Sequence, residues 1–491
     1  MSKHKRSTQK GSSSSKTWFL VNAAFLTLYT VLTGFFIFKM YAHQFLAFRY
    51  VNVILTGVLI AVFVLALSLL LFRKAKFLTT ISLLFFTLLS TVGIYLVQST
   101  VDVAEKLNQT ASYSEIEMSV VVPTGSSIQD ISEVGQLQAP TNNDGENIQA
   151  LMADLQANKN VNLTPETVDS YQQAYDNLLA GSTQAMVLNS AYSSLLELAD
   201  AEYASKVRTL YTYKITKEVS TNQSEGQTEA TANPNVLNIY ISGIDTYGSI
   251  STVSRSDVNI IMTINMETHK VLLTTIPRDA YVQIPDGGAN QYDKLTHAGI
   301  YGVETSMKTL ENLYDVDIQY YARINFTSFM QLIDILGGIE VQNDQAFTSG
   351  GYSYPAGTIS LNSEQALRFV RERYSLQGGD VDRGRNQQKV ISAIINKLAS
   401  VNSITNFTNI INSLQNSVQT NMPYETMIQM ANKQLSTGGA FAVTSQDVTG
   451  TGSTGQLPSY AMPSAALYMM SLDQTSVDTA KQAIKNTMEG N

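Results

Sequence analysis

Val236-Leu-Asn-Ile-Tyr-Ile-Ser-Gly243 opens the larger of two globular regions, and its reading decides the fold. It is mostly apolar and β-branched or aromatic, the composition of a strand. Asp257–Asn265 and Lys270–Ile276 read as further strands. Thr305–Leu313 and Thr327–Leu336 read as helices, the second stopped by Gly337-Gly338 as a C-cap would stop it. Asn362–Tyr374 reads as a helix with Asn362 as N-cap and Gln365 at the reach-back position, and Asn386–Ser400 as another. Strands and helices in this order predict a central mixed β-sheet flanked by helices.

Working outward, Ser220–Asn233 contains only Ser, Thr, Gln, Asn, Glu, Gly and Ala, so residues 220–234 read as a solvated linker. Before it, residues 99–219 form a smaller α/β domain. There, Glu117–Val122 is a strand stopped by Pro123-Thr-Gly125, and Gln184–Leu188 is a buried strand. Asn147–Leu155 and Pro165–Leu179 are amphipathic helices, the second capped by Thr164. No catalytic constellation is visible in this domain, and it reads as a spacer or interaction module. Residues 401–491 read as a C-terminal extension of the larger domain, with a helix at Thr475–Met488 and a Gly/Ser/Thr-rich loop at Thr449–Gly455.

The first 101 residues hold ten bases and no acid, whereas the rest holds all 40 acids and 32 − 10 = 22 bases. A net charge of −8 therefore splits into +10 and −18, which argues against one cytosolic domain and for a membrane at the basic end. Trp18–Phe38, Val51–Phe72 and Phe77–Val97 are free of charge. Each is long enough to cross roughly 30 Å of hydrocarbon as a helix. Residues 1–16 are then a cytoplasmic tail and 17–98 three transmembrane helices. Five bases precede the first span, and Arg73, Lys74 and Lys76 lie between the second and third. The positive-inside rule puts the N-terminus in the cytoplasm and the large C-terminal part outside. Cysteine is absent and His numbers four, which removes disulfides, thiol catalysis and a His-rich metal centre.

Eight of the nine arginines after residue 101 fall between 255 and 385. Arginine pairs bidentately with phosphate and stays charged when buried. Arg371 and Arg373 lie two apart, so they serve one site only if their helix ends there. Arg383 and Gln387 lie four apart and share one face of the next helix, beside N-terminal amides suited to an anion. Asp245 and Asp257 stand at strand edges, where a carboxylate near phosphate-binding arginines suits Mg²⁺. Arg278 follows another strand.

Ser242-Gly-Ile-Asp245, Arg255-Ser-Asp257, Ile276-Pro-Arg-Asp279, Lys294-Leu-Thr-His297-Ala298, Gly337-Gly-Ile-Glu-Val341, Leu367-Arg-Phe-Val-Arg-Glu-Arg373 and Asp380-Val-Asp-Arg-Gly-Arg-Asn-Gln387 occur in this order. The set resembles the LytR-CpsA-Psr family over residues 235–400. Three spans plus an extra α/β domain are similar to its streptococcal CpsA branch, whose genes head capsule operons. The resemblance implies a phosphotransferase on the outer face of a Gram-positive membrane. It would move capsular polysaccharide from a polyprenyl-pyrophosphate carrier to peptidoglycan through a phosphodiester. Arg255, Arg278, Arg371, Arg373, Arg383 and Gln387, with Lys308, would hold the pyrophosphate. Asp245 and Asp257 would organise Mg²⁺, or Mn²⁺ in its place, and Asp380 matches a further functional acid. Either Asp245 or Asp380 would act as base. The helices Thr305–Leu313 and Thr327–Leu336 would line a tunnel for the lipid tail.

Other readings share these residues. A membrane regulator of capsule expression is one, and a lipid pyrophosphatase is another. A scaffold contacting other capsule assembly proteins is a third. Direct nucleic-acid binding fits poorly, because the outer part is acidic and the cytoplasmic parts are too short for a binding domain.

Overall fold

The computed structural model describes residues 10–111, 113–218, 233, 235–244, 250–399 and 418–491. Asp245, most of the linker at 220–234, residues 1–9 and the stretch 400–417 lie outside them. The chain divides into two compact units.

The first unit contains helices Lys10–Ala42 and Val51–Leu71 and most of helix Lys76–Ala111, as far as Glu105. All three are long and apolar enough to cross a membrane. Polar side chains link them. Thr33 and Ser90 hydroxyls lie 2.8 Å apart, the Tyr29 hydroxyl donates to the Leu59 carbonyl, and Thr80 donates to Asn22 at 2.6 Å. Such bonds between helices replace the hydrophobic drive that lipid removes. The third helix runs past the expected end at residue 98, because Gln98–Ala111 contains neither Gly nor Pro. Helix Tyr424–Thr437 belongs to this unit as well, its Tyr424 and Ile428 buried with Phe36, Met40 and Val97. Part of the C-terminal stretch, Pro423–Gly439, is therefore counted with the first unit.

The second unit holds both α/β domains. In the smaller, five strands lie in the order Glu166–Thr167, Leu137–Ala139, Ala185–Asn189, Tyr113–Pro123 and Val207–Glu218. Helix Gly145–Lys159 covers one face through Ile148, Leu151 and Leu155, and Tyr171–Leu179 covers the other. The second helix begins at Tyr171 and not Pro165. Glu166–Thr167 instead pairs with Gln138–Ala139, and Ser170 supplies the cap by accepting from the Gln173 amide at 3.1 Å.

The larger domain is built on six strands in the order Val418–Thr420, Tyr320–Ile324, Val236–Ile244, Ser256–Asn265, Lys270–Thr275 and Ala442–Asp447. Two neighbouring pairs are parallel and three antiparallel, so the sheet is mixed as expected. Ile260 and Ile261, on opposite faces, are both fully buried, so both faces are covered. One face packs on helices Val303–Tyr314 and Gln474–Glu489 through Leu310, Tyr314, Val477 and Ile484. Helix Asp380–Ala399 is tied to the sheet by Gln388, which donates to Thr275 at 2.8 Å and to the Gln446 carbonyl at 3.0 Å. Both outer strands come from the C-terminal extension, which therefore completes the sheet. The expected loop at 449–455 is largely a strand, Gly450–Thr454, paired with Tyr468–Leu472.

Helix Ser363–Arg371 starts with the expected capping box. Asn362 accepts from the Gln365 amide at 2.9 Å, and Gln365 accepts from the Asn362 amide at 3.1 Å. Asn362→Ala removes the bond that the Asn362 side chain accepts, leaves the backbone amide to Gln365, and should lower the stability of this domain by about 1 kcal/mol. Denaturant unfolding followed by circular dichroism checks it; an unchanged midpoint would remove the cap from the argument.

Candidate functional site

The site forms where strand ends and helix ends meet. Strand Val236–Ile244 stops with a register shift at Gly243/Ile244 beside the start of Ser256–Asn265. A Cβ at Gly243 would stand 2.7 Å from the Val258 side chain, so only glycine fits this close approach. Asp257 and Val258 follow at the cavity edge, and Arg278 enters just after strand Lys270–Thr275. Helix Phe326–Ile335 is capped by Asn325, which accepts from the Ser328 amide at 2.9 Å.

The helix that carries Arg371 ends at that residue, and Glu372 is extended with ψ 135°. Glu372 Oε1 accepts from the amides of Arg373 and Ser375 at 3.0 and 2.9 Å, which holds the turn. Arg371 and Arg373 therefore both reach one cavity, the condition that their spacing demanded. Arg371 lies over the Phe326 ring at 4.1 Å, and Arg373 over the Tyr374 ring at 4.6 Å. One helical turn apart, Arg383 and Gln387 line the same cavity.

This cavity has a volume of about 340 Å³. Arg278, Arg371, Arg373, Arg383, Gln387 and Asp257 form its polar part, and Ile324, Phe326, Phe329, Leu367 and Val370 its apolar wall. The wall comes from the end of strand Tyr320–Ile324 and from helices Phe326–Ile335 and Ser363–Arg371. Helix Val303–Tyr314, the other expected wall, contributes no lining residue.

Asp257 accepts from Arg278 at 3.0 Å and from the Thr296 hydroxyl at 3.1 Å. Burial pushes its carboxyl up, but Arg278, Arg255, Arg383 and the Thr296 bond more than reverse this, leaving it below the ordinary carboxylate value. Arg383 is lowered, first by burial and then by the like charges of Arg278 and Arg373. Arg278 is raised despite burial, because Asp257, Asp279 and Asp380 surround it. Lys294 pairs with Asp279 at 2.5 Å behind it.

Other expected residues stand differently. Arg255 is buried and acts on Asp257 by charge without lining the cavity. Asp380 opens its helix and pairs with Arg383 at 2.6 Å. Lys308 is exposed, pairs with Asp286 at 2.9 Å and is not brought to the cavity. Asp245 lies outside the described residues. Thr296 and Tyr374 were not singled out from sequence. Thr296 sat inside the Lys294–Ala298 motif, and Tyr374 directly follows Arg373.

No group of three or more His, Cys, Asp or Glu that could hold a metal is present among the described residues. Asp257 is a single carboxylate with lone pairs left on each oxygen after its two hydrogen bonds. That donor set fits Mg²⁺ held mostly by water and phosphate oxygens, the usual arrangement for this ion.

Two consequences are measurable. Inorganic pyrophosphate should bind at this cavity, and Arg383→Ala should weaken it about tenfold or more, the value of one charge-assisted hydrogen bond; equal affinity by calorimetry would displace the site. Because the Asp257 pKa is lowered on folding, its ionised form contributes stability above the unfolded value near 3.8, and that contribution is lost as pH falls through the lower folded value. Asp257→Asn should therefore flatten the acid limb of a stability–pH curve. An identical limb would show that the arginines do not hold this carboxylate.

A sequence profile of the LytR_cpsA_psr family matches residues 203–486, and one for a DNA polymerase processivity factor matches 73–188. Two relatives are polyisoprenyl-teichoic acid–peptidoglycan teichoic acid transferases called TagU. The one from Oceanobacillus iheyensis is 36% identical over 225 residues, covering 44% of this chain and 68% of its own. That from Enterococcus faecalis is 36% identical over 224 residues, covering 45% and 72%. The crystal structure of TagU from Bacillus subtilis superposes with a TM-score of 0.41 at 29% identity, covering 52% of this chain and 97% of that one. The LytR_cpsA_psr match takes in more than half of the chain, including the whole arginine-lined cavity and both strands added at the sheet edges, and on it the chain belongs to the LytR-CpsA-Psr family.

Proposed function

We propose that the chain is a membrane-anchored phosphotransferase that moves a glycopolymer, capsular polysaccharide in our reading, from a polyprenyl-pyrophosphate carrier to peptidoglycan. The observation that carries this is one cavity with two characters. Arg278, Arg371, Arg373 and Arg383 meet a wall of Ile324, Phe326, Phe329, Leu367 and Val370. A pyrophosphate joined to a hydrocarbon chain asks for that combination. The TagU relatives, named as transferases between a polyisoprenyl-linked polymer and peptidoglycan, support the reaction class. The apolar N-terminal helices keep the enzyme beside a carrier that stays in the bilayer. Their flanking bases favour a cytoplasmic N-terminus and an outer catalytic domain in a Gram-positive cell.

Phosphoryl transfer needs positioning and charge neutralisation more than covalent help. A peptidoglycan hydroxyl oxygen attacks the phosphorus that bears the glycan. The bridging P–O bond of the pyrophosphate breaks, and polyprenyl monophosphate leaves with the bond electrons. The arginines hold both phosphates and take up charge on the leaving oxygen. Asp257 is a poor proton acceptor because its pKa is lowered. The hydroxyl proton therefore goes to Asp380 or Asp245. Mg²⁺, or Mn²⁺, beside Asp257 would supply further neutralisation of phosphate charge.

The test uses the purified full chain in detergent with Mg²⁺, lipid-pyrophosphate glycan and peptidoglycan. A covalent glycan–peptidoglycan product is expected, and Arg278→Ala or Arg373→Ala should abolish it while the protein stays folded. Full product from either variant would sink the site. Phosphate release with no linked product would replace transfer by hydrolysis.

A further inference from the structure

We propose that the smaller α/β domain is a positioning part of the active centre: its first strand holds the segment 250–253 and so sets where Arg255 and Asp257 stand. The strand Tyr113–Pro123 is covered by Ala185–Asn189 only over Met118–Val121. Its earlier residues keep one edge open, and the larger domain fills it. The Glu115 amide donates to the Ser251 carbonyl at 3.0 Å, and the Val253 amide donates to the Glu115 carbonyl at 3.2 Å. This is a two-bond parallel ladder, an extended segment added to a sheet edge.

The opposite side of the segment is held from the larger domain. Arg323, buried on strand Tyr320–Ile324, donates to the carbonyls of Ile250 and Thr252, each at 2.7 Å. Carbonyls of successive residues point to opposite sides of an extended chain, so Ile250 and Thr252 face Arg323 while Ser251 faces Glu115, and the two clamps do not compete. Burial pushes the Arg323 guanidinium down to about 10, still charged at neutral pH. Val253 itself lies in the smaller domain's apolar cluster with Tyr171, Tyr192 and Leu195.

The contact continues toward the site. Ile300 shares that cluster, and its neighbour Gly299 presses on the next residues. A Cβ at Gly299 would lie 2.6 Å from both the Ser254 carbonyl and the Ser256 amide. Arg255 sits between them, and Asp257 follows. Thr296, on the short helix Leu295–Ala298 just before Gly299, hydrogen-bonds Asp257. Two routes thus run from the smaller domain to the carboxylate that orders the arginines: one through Ser251 and Val253, one through Ile300 and Thr296.

The experiment exploits Glu115, whose backbone and not its side chain makes the ladder. Glu115→Pro deletes the donor, and Glu115→Val keeps it. The kinetic arm rests on the transferase reading above and uses the full chain in detergent. Glu115→Pro should lower kcat on the order of tenfold or more, the scale for sub-ångström to ångström misplacement, with KM for the lipid-linked glycan changed less. Glu115→Val should match the wild type. Hydrogen exchange of residues 250–257 should speed up in Glu115→Pro only. If that variant fails to fold, Val253→Pro, which removes the second bond from the larger domain's chain, is read the same way against Val253→Ala, which trims the same side chain but keeps the bond. Wild-type kcat in a folded proline variant, with unchanged exchange, would overturn the proposal, as would equal loss in Glu115→Val. A wild type that forms no product counts against the transferase reading alone, because the exchange measurement stands without turnover.

Discussion

Asp257 is the one carboxylate among the described residues that lines the arginine cavity, and the arrangement of charge depends on it. It takes a direct bond from Arg278 and feels Arg255 and Arg383. Four guanidinium groups brought to one small volume repel each other, most strongly at Arg278 and Arg383, where burial removes much of the screening water. Asp257, with Asp279 and Asp380 nearby, offsets part of that repulsion without cancelling it. The remaining positive charge is what an anion with several oxygens would meet. A set of ion pairs that closed completely would leave no affinity for a ligand.

Holding the arginines at one cavity, fixed enough to be specific, is a backbone problem. Each arginine stands at an element end. Arg278 follows a strand, Arg371 closes a helix, Arg373 lies in the turn that Glu372 holds, and Arg383 sits in the first turn of the next helix. Element ends are set by caps and breaks, so the capping box at Asn362 and the positive-φ Gly379 place charges as surely as the core does.

Much of this was legible because the signals are local. Arg371 and Arg373 at a two-residue spacing, and Arg383 and Gln387 at four, state their own geometric conditions, and the structure meets both. The mixed sheet was readable from apolar runs and their punctuation. What was not readable depends on partners far away in sequence. Glu166–Thr167 looks like the first turn of a helix until Gln138–Ala139 claims it as a strand. Thr449–Gly455 looks like a loop because nothing in it names its partner Tyr468–Leu472. Lys308 lies on an amphipathic helix whose sequence specifies a buried face but not what its exposed face meets, and it meets Asp286. Tyr424–Thr437 has the pattern of an ordinary surface helix, and its burial partners, among them Phe36 and Val97, lie more than three hundred residues earlier.

The net charge shows the same division between local and distant information. A value of −8 describes neither the basic membrane end nor the acidic remainder. Within that remainder four of the nine arginines gather in one cavity, which a single carboxylate among the described residues lines. An acidic exterior limits adhesion to other polyanions, which would matter for the anionic ligand proposed above. Selectivity then rests on geometry. Under the proposed function, an anionic polymer passing over the surface would be repelled, whereas a pyrophosphate carried on a hydrocarbon chain would be drawn by the apolar wall beside Phe326 and Phe329 to the arginines of that cavity. The apolar wall and the arginines therefore act as one recognition element, and removing either would leave a site that attracts the wrong anion or none.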